Sequence, residues 1–113
     1  QAVKAALDMR RRLKELNGTR ISEGRRPFAH GIGIHSGEVL AGNIGSEDRL
    51  FYALIGDTVN LASRIQDLSK EQHCDILISE DTRRRLKIPF PMGRGELKKA
   101  KGHAKPVVVY RIL

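Results

Sequence analysis

The chain has one cysteine, few aromatic rings and no long apolar run, and each shortage closes a class of function. Cys74 alone can form neither an internal disulfide nor a multi-cysteine zinc site, and the apolar run after it suggests a buried, reduced thiol. The expected setting is therefore reducing and cytoplasmic. Aromatic rings are confined to Phe28, Phe51, Phe90, Tyr52 and Tyr110, mostly in strand-like runs. Modules that read single-stranded nucleic acid need stacking platforms, so no nucleic-acid partner is expected. No apolar stretch approaches the ~20 residues that span a bilayer, and the N-terminal segment is charged rather than a signal peptide.

What is present fits one small domain. At 113 residues and 40% hydrophobic, the chain buries roughly two thirds of its unfolded surface, enough for one core. The 21 Lys and Arg against 13 Asp and Glu give a net charge of +8, which favours an anionic partner.

Ala2, Ala6, Met9, Leu13 and Leu16 recur at helical spacing and predict a helix over 1–16, stopped by Asn17-Gly18. Gln1 opens directly into that pattern without a capping residue, which is expected of a chain beginning inside a longer protein. Strands are predicted over 28–35, 39–44 and 50–55, in sequence an antiparallel meander. Asp57 or Thr58 can cap the next helix, whose Leu61, Ile65 and Leu68 form a stripe toward the sheet. A strand over 75–78, a helix capped by Ser79, and a tail of two strands around Lys101-Gly102-His103-Ala104 complete the reading. The fold class is α+β, with helices packed on a mainly antiparallel sheet.

Asn60 and Arg64 stand four residues apart on the predicted helix, so their side chains project as neighbours. Both can donate hydrogen bonds to phosphate oxygens. They lie in Leu54-Ile55-Gly56-Asp57-Thr58-Val59-Asn60-Leu61-Ala62-Ser63-Arg64, downstream of Gly31-Ile32-Gly33-Ile34-His35-Ser36-Gly37-Glu38-Val39-Leu40-Ala41-Gly42-Asn43-Ile44-Gly45. In this order the two stretches resemble the C-terminal half of the class III adenylyl and guanylyl cyclase catalytic domain, a partial ferredoxin-like fold. That family joins the ribose 3'-oxygen to the α-phosphorus of a nucleoside triphosphate and expels pyrophosphate. The resemblance implies that Asn60 orients the ribose and Arg64 stabilises charge on the reacting phosphate, in a reaction where positioning and electrostatics dominate. It also implies that Lys101 holds the terminal phosphates.

Ala53 falls where the family's purine-recognising side chain stands, and alanine cannot hydrogen-bond there. ATP is expected by family frequency, with GTP as the alternative. The glycines at 31, 33, 37, 42 and 45 match neither a dinucleotide fingerprint, which needs glycine where Ser36 stands, nor a phosphate-binding loop. They are expected to serve turns, bulges and close strand packing. His35 reads as a strand-end residue, and His30, His73 and His103 lack the spacing of a zinc site.

A two-metal phosphoryl transfer needs neighbouring carboxylates, and this chain offers no convincing pair. The resemblance places the aspartates that bind Mg2+ or Mn2+ in an N-terminal half that would precede Gln1. It further implies a head-to-tail homodimer in which each subunit supplies one wall of the site. The longer protein would carry an N-terminal sensor or regulatory domain, with membrane anchoring left open. The 113 residues alone are expected to be inactive. The alternative expectation is a catalytically silent, cyclase-like regulatory or dimerisation domain.

Overall fold

A computed structural model describes residues 1–46, 49–99 and 105–113, with side chains other than those of Leu40 and 43–55. The elements run α1 (Ala2–Ser22), β1 (Ile32–Ile34), β2 (Leu40–Ser46), β3 (Arg49–Ile55), α2 (Asp57–Glu71), β4 (Ile76–Ser79), α3 (Glu80–Arg84), β5 (Glu96–Lys98) and β6 (Val107–Arg111). Four strands form one sheet in the order β1-β4-β6-β5, and β2 and β3 form a separate antiparallel hairpin. The expected meander is corrected: β1 pairs in parallel with β4, not with β2. The other described pairings are antiparallel, so the α+β class with a mainly antiparallel sheet stands.

Strand alternation divides the core into two layers. Ile76 and Ile78 point to one face of β4 and Leu77 to the other, and all three are fully buried. Leu77 and Val109 meet Leu61, Ile65 and Leu68 of α2, so the predicted helical stripe is wholly buried. Ile76, Ile78 and Ile112 meet Val3 and Ala6 of α1 on the opposite face. Each large aliphatic side chain buried this way contributes about 1.5–3 kcal/mol.

Helix α1 departs from its expected form twice. It continues through Asn17-Gly18 to Ser22, and Gly18 is not among the residues with positive φ. The left-handed position comes later, at Gly24 with φ +76°. Its buried face is Val3 and Ala6 with Leu7 half-buried beside them; of the expected Ala2-Ala6-Met9-Leu13-Leu16 line Ala6 is buried and Leu13 half-buried, whereas Ala2, Met9 and Leu16 are exposed. Arg10 sits on the inner side because Asp75 accepts both its Nε–H and Nη2–H bonds at 2.7 Å, and the Ile112 and Leu113 carbonyls accept two more.

The first strand is also shorter than 28–35. Phe28 is held instead by Asn17, whose Nδ2 donates to the Phe28 carbonyl and whose Oδ1 accepts the Phe28 amide, each at 2.7 Å. Helix α2 begins after Gly56, where φ is +141°, and neither Asp57 nor Thr58 supplies the cap. Ser79 does cap α3, accepting the Thr82 amide. Among the described residues no helix is long and apolar enough to cross a membrane.

Candidate active site wall

Helix α2 carries the candidate pair, and glycines fix its place. A Cβ on Gly33 would lie 2.4 Å from the Gln66 amide nitrogen and 2.8 Å from the Ala62 carbonyl oxygen. The helix backbone therefore rests directly on β1, an approach only glycine permits. Gly31 and Gly37 on either side approach side chains of α2 instead, where an added Cβ would come within 2.8 Å of Ser69 Oγ and 2.7 Å of Thr58 Oγ1. These three glycines seat a helix against a strand.

With Leu61, Ile65 and Leu68 turned inward, Asn60 and Arg64 are left on the exposed side of α2, one turn apart. The Asn60 amide donates to the Gly56 carbonyl at 3.2 Å, placing this residue in the first hydrogen-bonded turn. Arg64 is 44% exposed in its side chain and reaches Asp67 Oδ2 at 3.7 Å, an i,i+3 ion pair at the surface. Such pairs are worth only a few tenths of a kcal/mol, so Asp67 holds the guanidinium weakly. The structure thus brings Asn60 and Arg64 together as two donors facing outward on a rigidly backed helix. Ala53 lies in β3 with its backbone opposite Gly42, but its side chain is outside those described. Lys101 lies outside the described residues.

The remaining sequence candidates resolve into structural roles. His35 follows β1, its side chain is 7% exposed, and its Nδ1 lies 2.8 Å from Ser79 Oγ. Ser36 and Thr82 hydroxyls meet at 3.0 Å beside it, so this cluster ties the end of β1 to the α3 cap. Cys74 is free and half-buried; burial, partly offset by the Arg111 charge, pushes its thiol above the ordinary range. It is therefore a poor nucleophile at neutral pH. Among the described residues no group of three or more His, Cys, Asp or Glu side chains is placed to hold a metal ion.

Close packing at these glycines was expected, and the structure shows that its partner at Gly33 is the backbone of α2. Its signal was present in the odd-numbered spacing of Gly31 and Gly33, which puts both on one strand face.

The sequence pattern of the adenylate and guanylate cyclase catalytic domain matches residues 1–112. An adenylate cyclase of Anabaena cylindrica is 35% identical over 98% of the chain, which spans 24% of that protein. Adenylate cyclase 1 of Rhizobium meliloti is 32% identical over 99% of the chain, 17% of its own length. Among solved structures, the guanylyl cyclase Cya2 superposes with a TM-score of 0.83 at 33% identity, covering 98% of this chain and 55% of that one. The adenylyl cyclase CyaB from P. aeruginosa gives 0.84 at 30% identity, covering 99% and 57%. The chain thus spans about a quarter or less of these two relatives and little more than half of the two solved chains.

Proposed function

Because the chain belongs to the adenylate and guanylate cyclase catalytic domain family, we propose that the protein containing it converts ATP, or alternatively GTP, to the 3',5'-cyclic nucleotide and pyrophosphate. The observation that carries this reading is the outward-facing Asn60 and Arg64 pair on a helix fixed from behind by Gly33. In the reaction the ribose 3'-oxygen loses its proton and bonds to the α-phosphorus, while the bond from that phosphorus to the bridging oxygen of the leaving pyrophosphate breaks. Asn60 holds the ribose in line for attack. Arg64 leaves Asp67 and donates hydrogen bonds to the α-phosphate oxygens, where charge is redistributed in the transition state. Lys101, upstream of β6 in the sequence, binds the outgoing phosphates.

The rest of the catalytic domain adds outside this chain in the same proposal. β1 is an edge of the described sheet, and an open edge accepts further strands. A divalent cation, magnesium or manganese, would neutralise phosphate charge, held by carboxylates from that other part. The second wall of the site comes from a partner subunit in a homodimer, and the chain by itself is inactive. Upstream sensing and signalling through the cyclic nucleotide belong to the longer protein.

Ala53 supports a second reading, a silent cyclase-like domain that regulates or dimerises, because its methyl side chain cannot hydrogen-bond a purine edge. The test is cyclic-nucleotide formation by the longer protein, given ATP and GTP separately with magnesium or manganese. Product from one nucleotide, reduced about 100-fold to 1000-fold by Arg64→Ala, is the expected outcome. No product from either in a folded dimer would favour the silent domain.

A further inference from the structure

On the face of the sheet opposite α2, the start of α1 and the turn after α3 border a hollow of about 320 Å³. That is the small end of the range for small-molecule sites. Local sequence explains how it forms. Val3 of α1 and Leu86 after α3 both pack on the core of Ile76, Ile78 and Ile112, so their neighbours Lys4, Arg85 and Lys87 are left exposed, and all three line the hollow. Phe90 packs on the same core and lines the hollow as well. The turn is held by its backbone: the Arg85 amide donates to the Thr82 carbonyl at 3.1 Å, and the Leu86 amide to the Arg83 carbonyl at 3.2 Å.

Three cations therefore border one hollow, and no Asp or Glu lines it. The preceding arginines differ in this respect. Arg83 and Arg84 both reach the Glu80 carboxylate, at 2.7 and 3.2 Å, and Tyr110 donates to it as well. Lys4, Arg85 and Lys87 have no ion-pair partner among the described residues. Like charges gathered without a counter-charge repel, and an anion that enters offsets the repulsion. Because the three side chains are exposed, a ligand reaches them without any opening of the fold.

The number of cations selects the charge of the ligand, and the apolar lining selects its body. A monoanion would leave two of the three cations uncompensated. A phosphate monoester carries close to two charges at neutral pH, and its oxygens match the fork of an arginine. Ile88, 67% exposed at the edge of the hollow, and Phe90 offer contact to a ring or a short alkyl group. We propose that this hollow binds a small soluble phosphate monoester, its phosphate held by Arg85, Lys4 and Lys87 and its apolar body lying against Ile88 and Phe90. The site is separate from the cyclase wall, since α2 with Asn60 and Arg64 packs on the other face of the sheet.

The experiment titrates phenyl phosphate into the longer protein by calorimetry. Phenyl sulfate serves as a monoanion of the same shape, and inorganic phosphate as the anion without the body. Phenyl phosphate should bind saturably and at least about fivefold more tightly than either. Its affinity should rise between about pH 5 and about pH 7.5, through its second ionisation near about 6, while that of phenyl sulfate stays flat. Arg85→Gln and Lys4→Gln, both exposed changes outside the core, should weaken it about tenfold and several-fold. Arg64→Ala should leave the affinity unchanged. The proposal is overturned by no saturable binding, by phenyl sulfate or inorganic phosphate binding as tightly, by full affinity in either Arg85→Gln or Lys4→Gln, or by lost affinity in Arg64→Ala. Binding to vesicles that contain phosphatidate, without binding of free phenyl phosphate, would assign the cations to a lipid surface and overturn it as well.

Discussion

The two faces of the sheet hold their helices in opposite ways. On one face α2 lies against β1 backbone to backbone at Gly33, with Gly31 and Gly37 making room for the Ser69 and Thr58 side chains. On the other, α1 is buried only near its start, at Val3 and Ala6, and its later turns are held by polar staples from Arg10 and Asn17. Close apolar seating leaves no slack, which suits a wall that must place two donors to within a fraction of an ångström. Polar stapling at a distance leaves room, and an open groove lies there, between Leu13 and Ile21 of α1 and Pro27 and Ala29.

The contrast can be broken from either side. Gly33→Ala should have the largest effect, because its methyl group would enter the α2 backbone; a loss of about 1–3 kcal/mol is expected by denaturant unfolding. Its activity should fall further than its stability, since Asn60 and Arg64 move with the helix. Arg10→Ala removes the Asp75 pair and two C-terminal carbonyl bonds, and partial exposure limits the loss to about 1–2 kcal/mol. Hydrogen exchange should then rise in the C-terminal half of α1 and not in α2. Asn17→Ala, at the exposed end of the same helix, should cost under about 1 kcal/mol and loosen only the segment around Phe28.

A last, smaller effect is confined to acid. Hydrogen bonds from Arg83, then from Tyr110, hold the Glu80 carboxyl at about 2, against an ordinary 4.5. A depressed folded-state value means that the contribution is present above about 4.5 and lost as pH falls through about 2. The stability difference between the native protein and Glu80→Gln should therefore shrink across that window and stay constant at neutral pH.

Local pattern revealed one face of this molecule better than the other. The α2 stripe, the Ser79 cap and the β2–β3 hairpin are short-range features, and each was legible in the sequence. The inner face and the end of α1 were not, because alanines and leucines spread over much of its circumference, and Arg10 occupies the inner side through a partner 65 residues away. Gly18 looked like a stop and is not one, since the true left-handed residue is Gly24. The parallel pairing of β1 with β4 escaped for the same reason: its register joins Gly33 to Leu77 across the intervening hairpin and helix, and no local signal encodes it. Asn60 and Arg64 were legible as a pair from their spacing, but the reason they are held firmly emerged only with the glycine contacts.

The most direct test of the central claim separates binding from turnover in Arg64→Ala of the longer protein, by equilibrium nucleotide binding and single-turnover cyclic-nucleotide formation. If Arg64 acts on the reacting phosphate, the single-turnover rate falls about 100-fold or more while nucleotide affinity changes by less than about tenfold. An unchanged single-turnover rate, or a loss confined to affinity, would contradict a catalytic role for the α2 wall.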